Sequence, residues 1–482
     1  MQKKFFSGLF LILILNLIIK PLYILGIDAE VQNRLGASLY GNYFALLNYS
    51  LLLNILNDLG LSNYFTRKIA NEKSASNPDF FSILGGRILL FLIYAAITLG
   101  MAAGFGFVKG DLSILAVLVL NQLFVASIQY ARATLSGLLR FKTDAVFSIL
   151  DRSLLILMCL YLLWGGGEIS IWAFVLAQSV AYGFTAILAI VLVLPHTKGN
   201  RTIRDFKGFK SILKKSMPYA LLFLLMMLYT RVDAIMIERI STNGDEAAGF
   251  YAQGYRFLDA INMFALLFAG LLLPTFSKLL SEKTELERFL RIGGKLLIPL
   301  GFTVGIIGFV NAEAILNWRY EGLVGHDSVL SFQFLMLSFV PMCFTYLYGT
   351  LLTANDSLRA LNIMAFTALL LNVVLNYVLI SAYGFFGAAL ATLCTSSFAG
   401  LIQWVLSRRI LEIGVGFNVW IRILLSASIT ALIAYAVQHY LDQFSLLAKL
   451  GIESASALIV LVLLKVFDLK DVKLVLSSRS TT

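Results

Sequence analysis

Fourteen apolar runs, bounded by charged residues or by Gly, Asn and Pro, follow one another at 5–26, 38–62, 81–104, 112–138, 145–165, 169–194, 217–240, 249–275, 289–311, 328–353, 361–382, 385–407, 419–440 and 446–467. A helix of about 20 such residues, rising about 1.5 Å per residue, crosses a hydrocarbon layer about 30 Å thick. The alternation expected of a barrel strand is absent from the sequence, and a helix satisfies its own backbone hydrogen bonds in lipid. The pattern therefore predicts an all-α polytopic membrane protein with about 14 transmembrane helices. The runs at 361–382 and 385–407 are separated only by Tyr383-Gly384. The start, MQKKFFSGLFLILILNLIIK, has the charged head and apolar core of a signal peptide without a small-residue cleavage site, and reads as an uncleaved first span.

Composition agrees. Of 482 residues, 59% are hydrophobic and 13% charged, with mean hydropathy +0.85, where soluble proteins carry about 25% charged residues. A water-soluble enzyme is excluded, and little chain remains for a soluble domain. The net charge of +11 is not gathered into an aromatic-interleaved stripe that would follow a phosphate backbone, so no nucleic-acid partner is expected. With the N-terminus placed in the cytoplasm, twenty-four of the 38 Lys and Arg fall in cytoplasmic gaps. Four, Arg34, Lys109, Arg319 and Lys449, fall in the opposite set. This asymmetry sets the orientation, with both termini cytoplasmic, and leaves membrane lipid as a partner of the basic inner face.

The longest basic gap, PHTKGNRTIRDFKGFKSILKKS at 195–216, divides the chain. It suggests an N-lobe at 1–194 (spans 1–6), a cytoplasmic linker at 195–216, a C-lobe at 217–407 (spans 7–12), and spans 13–14 with a cytoplasmic tail at 408–482. A repeat supports the division. Gly41-Asn42-Tyr43 opens the second span as Gly249-Phe250-Tyr251 opens the eighth, and Tyr130-x-x-x-Thr134-Leu135 recurs as Tyr346-x-x-x-Thr350-Leu351. Six helices per unit is an even number, so the halves face the same way, as in parallel-repeat transporters.

Candidate chemistry is sparse. Gly293-Gly294-Lys295 lacks the spacing and hydroxyl of a nucleotide loop, and His196, His326 and His439 lie on separate connections, so neither a cofactor nor a metal is expected. Cys159, Cys343 and Cys394 read as ordinary buried residues. Attention falls on ionisable residues inside spans, each costing about 2.5–3.5 kcal/mol in lipid. By helical rise, Lys20 lies about 22 Å from the inner end of the first span, Arg231 and Asp233 about 21–24 Å along the seventh, and Arg256 about 10 Å from the outer end of the eighth. All four then share the outer half of the bilayer. One reading is a cationic cavity in which Lys20, Arg231 and Arg256 attract an anionic head group while Asp233 and Asp259 hold those cations or carry a coupling ion, a proton or sodium. The other makes Arg256 and Asp259 a plain intrahelical pair. Asn48 and Asn54 with Asp58 on the second span, and Asn372 and Asn376 on the eleventh, recur at helical spacing and line the path or bind helices together. Asp58 and Arg132 come near the cytoplasmic edge, where they close an inner gate or simply face its mouth. Gly301, Gly305 and Gly308 permit close packing or bending, as do Pro21, Pro218, Pro274, Pro299 and Pro341 at span interiors and ends.

Several stretches resemble a known family: LGASLYGNYFALLNYSLLLNILNDLGLSNYFTRKIA at 35–70, SMPYALLFLLMMLYTRVDAIMIERI at 216–240, AAGFYAQGYRF at 247–257, LLLPTFSKLL at 271–280 and LLLNVVLNYVLISAYGFFGAALATL at 369–393. They are similar to the polysaccharide-exporter branch of the multidrug/oligosaccharidyl-lipid/polysaccharide (MOP) transporter superfamily. The resemblance implies a V-shaped, two-lobed flippase that moves a lipid-linked oligosaccharide, typically on undecaprenyl diphosphate, to the periplasmic leaflet for O-antigen or similar surface polysaccharide. It also implies functional association with polymerising machinery. A drug exporter of the same superfamily would be expected to carry an acid in the first or seventh span; the first span as delimited here has Lys20 and no acid. A peptidoglycan-precursor flippase shares the topology. A membrane glycan polymerase or acyltransferase would need a long outer loop or a His/Asp pair, and neither is present in the sequence.

Overall fold

The computed structural model describes residues 14–59, 80–104, 109–137, 140–196, 206–320, 322 and 324–466. The predicted residues 5–13, 60–62 and 467, and most of the basic stretch at 195–216, lie outside the described residues or have undescribed side chains. Among the described residues the regular structure is helical throughout. The first helix runs past its predicted end at 26: a π-helical segment, Leu22–Asp28, leads into helix Ala29–Leu52, which breaks at Gly36 (φ 79°, ψ 167°). We label 14–35 as α1 and 37–52 as α2. There follow α3 (Phe80–Gly104), α4 (Lys109–Gly137), α5 (Phe141–Trp164), α6 (Ile171–Val193), α7 (Phe206–Ile240), α8 (Gly244–Leu279) and α9 (Lys283–Val310). After a short helix, Ala312–Arg319, comes α10 (His326–Ala354). Helix Leu358–Leu411 breaks at Gly384 (φ 64°, ψ −148°) into α11 (358–383) and α12 (385–411). The chain ends in α13 (Phe417–Tyr440) and α14 (Leu446–Leu463).

Eleven described helices are long and apolar enough to span a membrane. The breaks at Gly36 and Gly384 resolve the remaining pairs, giving fourteen helices in the predicted order. Both breaks use a positive φ that L-residues adopt only with strain, so glycine lets the chain reverse between spans with almost no loop.

Packing divides the chain into two units, Met1–Ala252 and Gln253–Thr482. In the first, α4 packs on α6, and α1 and α2 on α7. Its largest fully buried side chains are Tyr40, Tyr43, Phe44, Tyr94, Tyr130, Phe174 and Tyr251. Large apolar residues such as Leu157, Val180 and Ile187 are exposed, the pattern of a bundle whose solvent is lipid. In the second unit, Gly301 and Gly305 of α9 face Val340 of α10, and Gly308 faces Met336. The glycine run therefore serves close helix approach. Helices α13 and α14 pack on each other and on α9. Cys159 and Cys343 are buried as expected, whereas Cys394 is exposed: in lipid an apolar run faces outward as readily as inward, so hydropathy does not fix burial.

Two predicted features have direct local consequences. Pro21 immediately precedes the π-helical segment of α1, and Pro341 lies four residues before a second, Thr345–Gly349, within α10. A proline removes one helical N–H and crowds the preceding turn, and a widened turn absorbs the defect. In the repeated motif, Thr134 Oγ1 donates to the Tyr130 carbonyl at 3.1 Å and Thr350 Oγ1 to the Tyr346 carbonyl at 2.6 Å. The two copies thus make the same bond on the fourth and tenth helices.

Candidate functional site

The first unit gathers charge around Lys20. Half-buried on α1, Lys20 has Arg152, Arg132 and Asp151 as its charged surroundings. Arg152, on α5, donates through Nη1 to the Tyr182 hydroxyl at 2.6 Å, and its guanidinium lies 4.8 Å from the Tyr23 ring centre and 5.2 Å from that of Tyr182. Asp151 Oδ2 is 3.9 Å from Arg152 Nε, a loose pair. Arg132, on α4, is 2.6 Å from Asp144. Three cations thus meet Asp151 and Asp144, with Asp28 acting on the same Tyr23 and Tyr182, and among the described residues Lys20 makes no ion pair. Deeper in the same unit the Tyr40 hydroxyl donates to Asp28 at 2.7 Å and Gln178 Nε2 to the Tyr43 hydroxyl at 2.7 Å.

This changes two expectations. The first span does contain an acid: Asp28, buried, closes the π-helical segment. In the sequence, Asp28 and Glu30 follow the apolar run closely, but the helix continues through them and Asp28 is buried. The depths change with the helix ends. Lys20 lies about 24 Å along α1 from the bend at Gly36, past the middle of an apolar layer about 30 Å thick, and Arg256 about 18 Å from the start of α8. Arg231 and Asp233 lie about 10–14 Å from the end of α7.

Arg231 and Asp233, two residues apart, reach different neighbours: Arg231 Nη1 donates to Asn48 Oδ1 at 3.3 Å, while the Tyr251 hydroxyl donates to the buried Asp233 at 3.1 Å. The helical register assumed for Asn54 and Asp58 does not hold. Helix α2 ends at Leu52, Asn54–Asn57 is a 3₁₀ turn, and Asp58 follows it. Asp58 pairs with Arg87 of α3 and Arg132 with Asp144, so the two proposed gate residues have separate partners.

In the second unit Arg256 Nη1 lies 3.7 Å from Asp259 Oδ2, the intrahelical pair at i,i+3. Asn376 donates to Asn372 at 3.0 Å, and Asn372 to Thr395 Oγ1 at 3.4 Å, all three side chains being buried. The asparagines therefore join α11 to α12. Sequence reasoning missed Arg152, Arg87 and Asp28. Arg152 follows Asp151 directly in the sequence, and only the fold shows that it turns to Tyr23 and Tyr182.

Comparisons with known proteins agree with this architecture. A family model described as polysaccharide biosynthesis protein matches residues 6–280. An uncharacterized membrane protein of Methanocaldococcus jannaschii is 25% identical over 380 residues, 75% of this chain and 88% of the relative. Among solved structures, the lipid II flippase MurJ in an inward closed conformation is similar with a TM-score of 0.71 at 16% identity, covering 96% of this chain and 97% of that one. An inward-facing multidrug resistance MATE family transporter of the MOP superfamily gives 0.60 at 13%, covering 83% and 94%. A MOP superfamily transporter from Pyrococcus furiosus, described by a reversed polarity of its binding pocket, gives 0.55 at 14%, covering 85% and 94%. With more than half its length matched by the family model, on a fold shared with MOP superfamily transporters, the chain belongs to the polysaccharide biosynthesis protein family of multi-pass membrane proteins.

Proposed function

We propose that the protein is a flippase, not an enzyme, that moves a lipid-linked oligosaccharide, typically an undecaprenyl-diphosphate-linked repeat unit, across the inner membrane by alternating access of an N-lobe and a C-lobe. The observation that carries this reading is the cation cluster: Lys20 has Arg152 and Arg132 as charged neighbours and, among the described residues, makes no ion pair of its own, the acids nearby being Asp151, Asp144 and Asp28. A buried positive site attracts a diphosphate and repels a cationic drug. The family description, polysaccharide biosynthesis, supports a sugar-bearing cargo. Arg231 with Asn48, and Arg256 with Asp259, add polar lining, and Asp233 and Asp259 are the candidates for carrying a coupling proton or sodium.

A drug-exporter reading has one observation in its favour, the acid Asp28 in the first helix, hydrogen-bonded to Tyr40. Deleting the gene in its host and scoring surface glycan together with lipid-linked precursor in the inner leaflet separates the two. Lost glycan with accumulated precursor, restored by the wild type and by Lys20→Arg but not by Lys20→Ala, is the expected result. Unchanged glycan and precursor with increased drug sensitivity would overturn it.

A further inference from the structure

A second concentration of positive charge lies far from Lys20 in the chain, in the second unit. A cavity of about 210 Å³ is lined by Arg291 and Lys295 of α9, Arg422 and Asn418 of α13, and Lys465 and Val466 just beyond α14. Among the described residues, no carboxylate lines it. We propose that this pocket binds the phosphate of an anionic membrane lipid on the cation-rich side of the bilayer.

Depth is the first support. Arg291 lies about 28 Å from the end of α9, Arg422 about 27 Å from the end of α13, and Lys465 about 28 Å from the start of α14, by helical rise. These distances match the thickness of the hydrocarbon layer, about 30 Å, and put the cations at head-group level. Lysines and arginines near helix ends often reach the interface singly, with stems along apolar surface. Here side chains from three helices converge on one half-open space, with buried Val466 in its wall.

Ordinary helix electrostatics does not account for the set. A cation at a helix C-terminus is favoured by the dipole, which explains Lys465 alone. Arg291 and Arg422 are the ninth and sixth residues of α9 and α13, beyond the first turn where the dipole acts, so it gives no reason for cations there. Glu287 offsets part of Arg291, at 3.5 Å. Lys465 is also held rather than frayed: its N–H donates to the Val462 carbonyl at 3.0 Å, and that of Val466 to the Leu461 carbonyl at 3.0 Å. These are the two bonds of a Schellman turn, with Lys465 at the left-handed position (φ 53°) usually taken by glycine. A cation occupies a place that the backbone alone would give to glycine.

The test uses the full chain, purified and delipidated in a neutral detergent, with thermal unfolding followed as lipid is added. Phosphatidylglycerol is expected to raise the midpoint and phosphatidylcholine to leave it unchanged. Arg422→Gln with Lys465→Gln is expected to weaken the phosphatidylglycerol response about tenfold in concentration, while Lys278→Gln with Arg359→Gln, which removes two exposed cations elsewhere, leaves it as in the wild type. Lys465→Gly relaxes the turn while removing the charge, so it is expected to raise stability without lipid yet weaken the response. An equal response to both lipids, or equal losses in the pocket and control variants, would overturn the proposal. Displacement of phosphatidylglycerol by micromolar inorganic phosphate would assign the pocket to a soluble phosphate compound and overturn the lipid. None of these outcomes depends on which cargo the protein carries.

Discussion

Gly41 and Gly249 face each other across the crossing of α2 and the start of α8. A β-carbon on Gly41 would overlap the Asp245 carbonyl oxygen and lie 2.5 Å from the Gly249 nitrogen; one on Gly249 would overlap the Ala37 carbonyl oxygen. Gln32 Nε2 donates to the Gly249 carbonyl at 2.7 Å across the same crossing. The two glycines are the equivalent positions of the repeated motifs Gly41-Asn42-Tyr43 and Gly249-Phe250-Tyr251. The repeat therefore marks a place where backbone meets backbone.

Neither backbone can yield to a methyl group as a flexible side chain would. Gly41→Ala and Gly249→Ala are each expected to lower stability by about 1–3 kcal/mol, the usual cost of overpacking. Gly100→Ala, with nothing within 4 Å of the added carbon, is expected to raise stability by about 0.5–1 kcal/mol, because alanine loses less entropy in a helix. Thermal unfolding of the purified variants measures all three. Equal melting of Gly41→Ala and the wild type would mean the crossing is looser than described.

Arg152 is held by one hydrogen bond to Tyr182 and by two aromatic faces. Lysine keeps the charge but not the planar fork that stacks and bonds at once. Arg152→Lys is expected to reduce glycan export about tenfold, and Tyr182→Phe to reduce it less, because the ring remains. Export assayed in the deletion strain, with membrane levels of each variant measured alongside, decides the matter. Full activity of Arg152→Lys would remove Arg152 from the candidate site.

How far the sequence carries the fold depends on what sets each feature. Fourteen helices are legible because each run must satisfy lipid along its whole length, and Tyr383-Gly384 is legible because nothing else interrupts the apolar pattern. The end of α1 is not, since Asp28, Glu30 and Arg34 look like a water-facing gap until Tyr40 is seen to bond Asp28 and Glu30 to pair with Arg34 at 3.2 Å. The candidate site is legible as a set of unusual residues and not as a set of pairs. Periodicity says which residues share a helix face, so Arg256 with Asp259 follows from spacing. It says nothing of which helix lies opposite, so Asp58 with Arg87 and Arg231 with Asn48 do not.

The pairing of Asp58 with Arg87 makes an energetic prediction. Arg87 is 3% exposed, donates to the Ala126 carbonyl at 2.7 Å and lies 4.7 Å from the Tyr130 ring centre, so it cannot follow its counter-ion to water. Asp58→Ala is expected to cost about 3–5 kcal/mol by leaving that charge unpaired. Adding Arg87→Met should recover most of the loss. Asp58 and Arg132 make their ion pairs with different residues, so their double-mutant cycle is expected to be additive within about 0.5 kcal/mol. A large coupling energy between Asp58 and Arg132 would instead favour the inner gate that their positions first suggested.

The last two helices are tied to the rest of their unit by a buried polar chain. Asn311, between α9 and the short helix that follows it, donates to Glu453 of α14 at 2.7 Å and accepts from Gln438 of α13. Gln438 in turn accepts from Lys449 at 3.2 Å, and Lys449 reaches Asp442 at 3.3 Å. Glu453 and Asn311 are each 1% exposed, so losing the bond between them strands a polar atom away from water. Asn311→Leu removes the donor to Glu453 and is expected to cost about 1–3 kcal/mol or more, the desolvation penalty of an unpaired buried group. Glu453→Gln keeps a carbonyl oxygen to receive Asn311 and is expected to change stability by less than about 1 kcal/mol. Thermal unfolding combined with protease access to the 441–445 turn tests whether α13 and α14 detach. Early cleavage in Asn311→Leu but not in Glu453→Gln is the expected pattern, and it would make the two helices an integral part of the second unit. Equal behaviour of both variants and the wild type would make the chain of polar residues incidental and leave apolar packing on α9 to hold the pair.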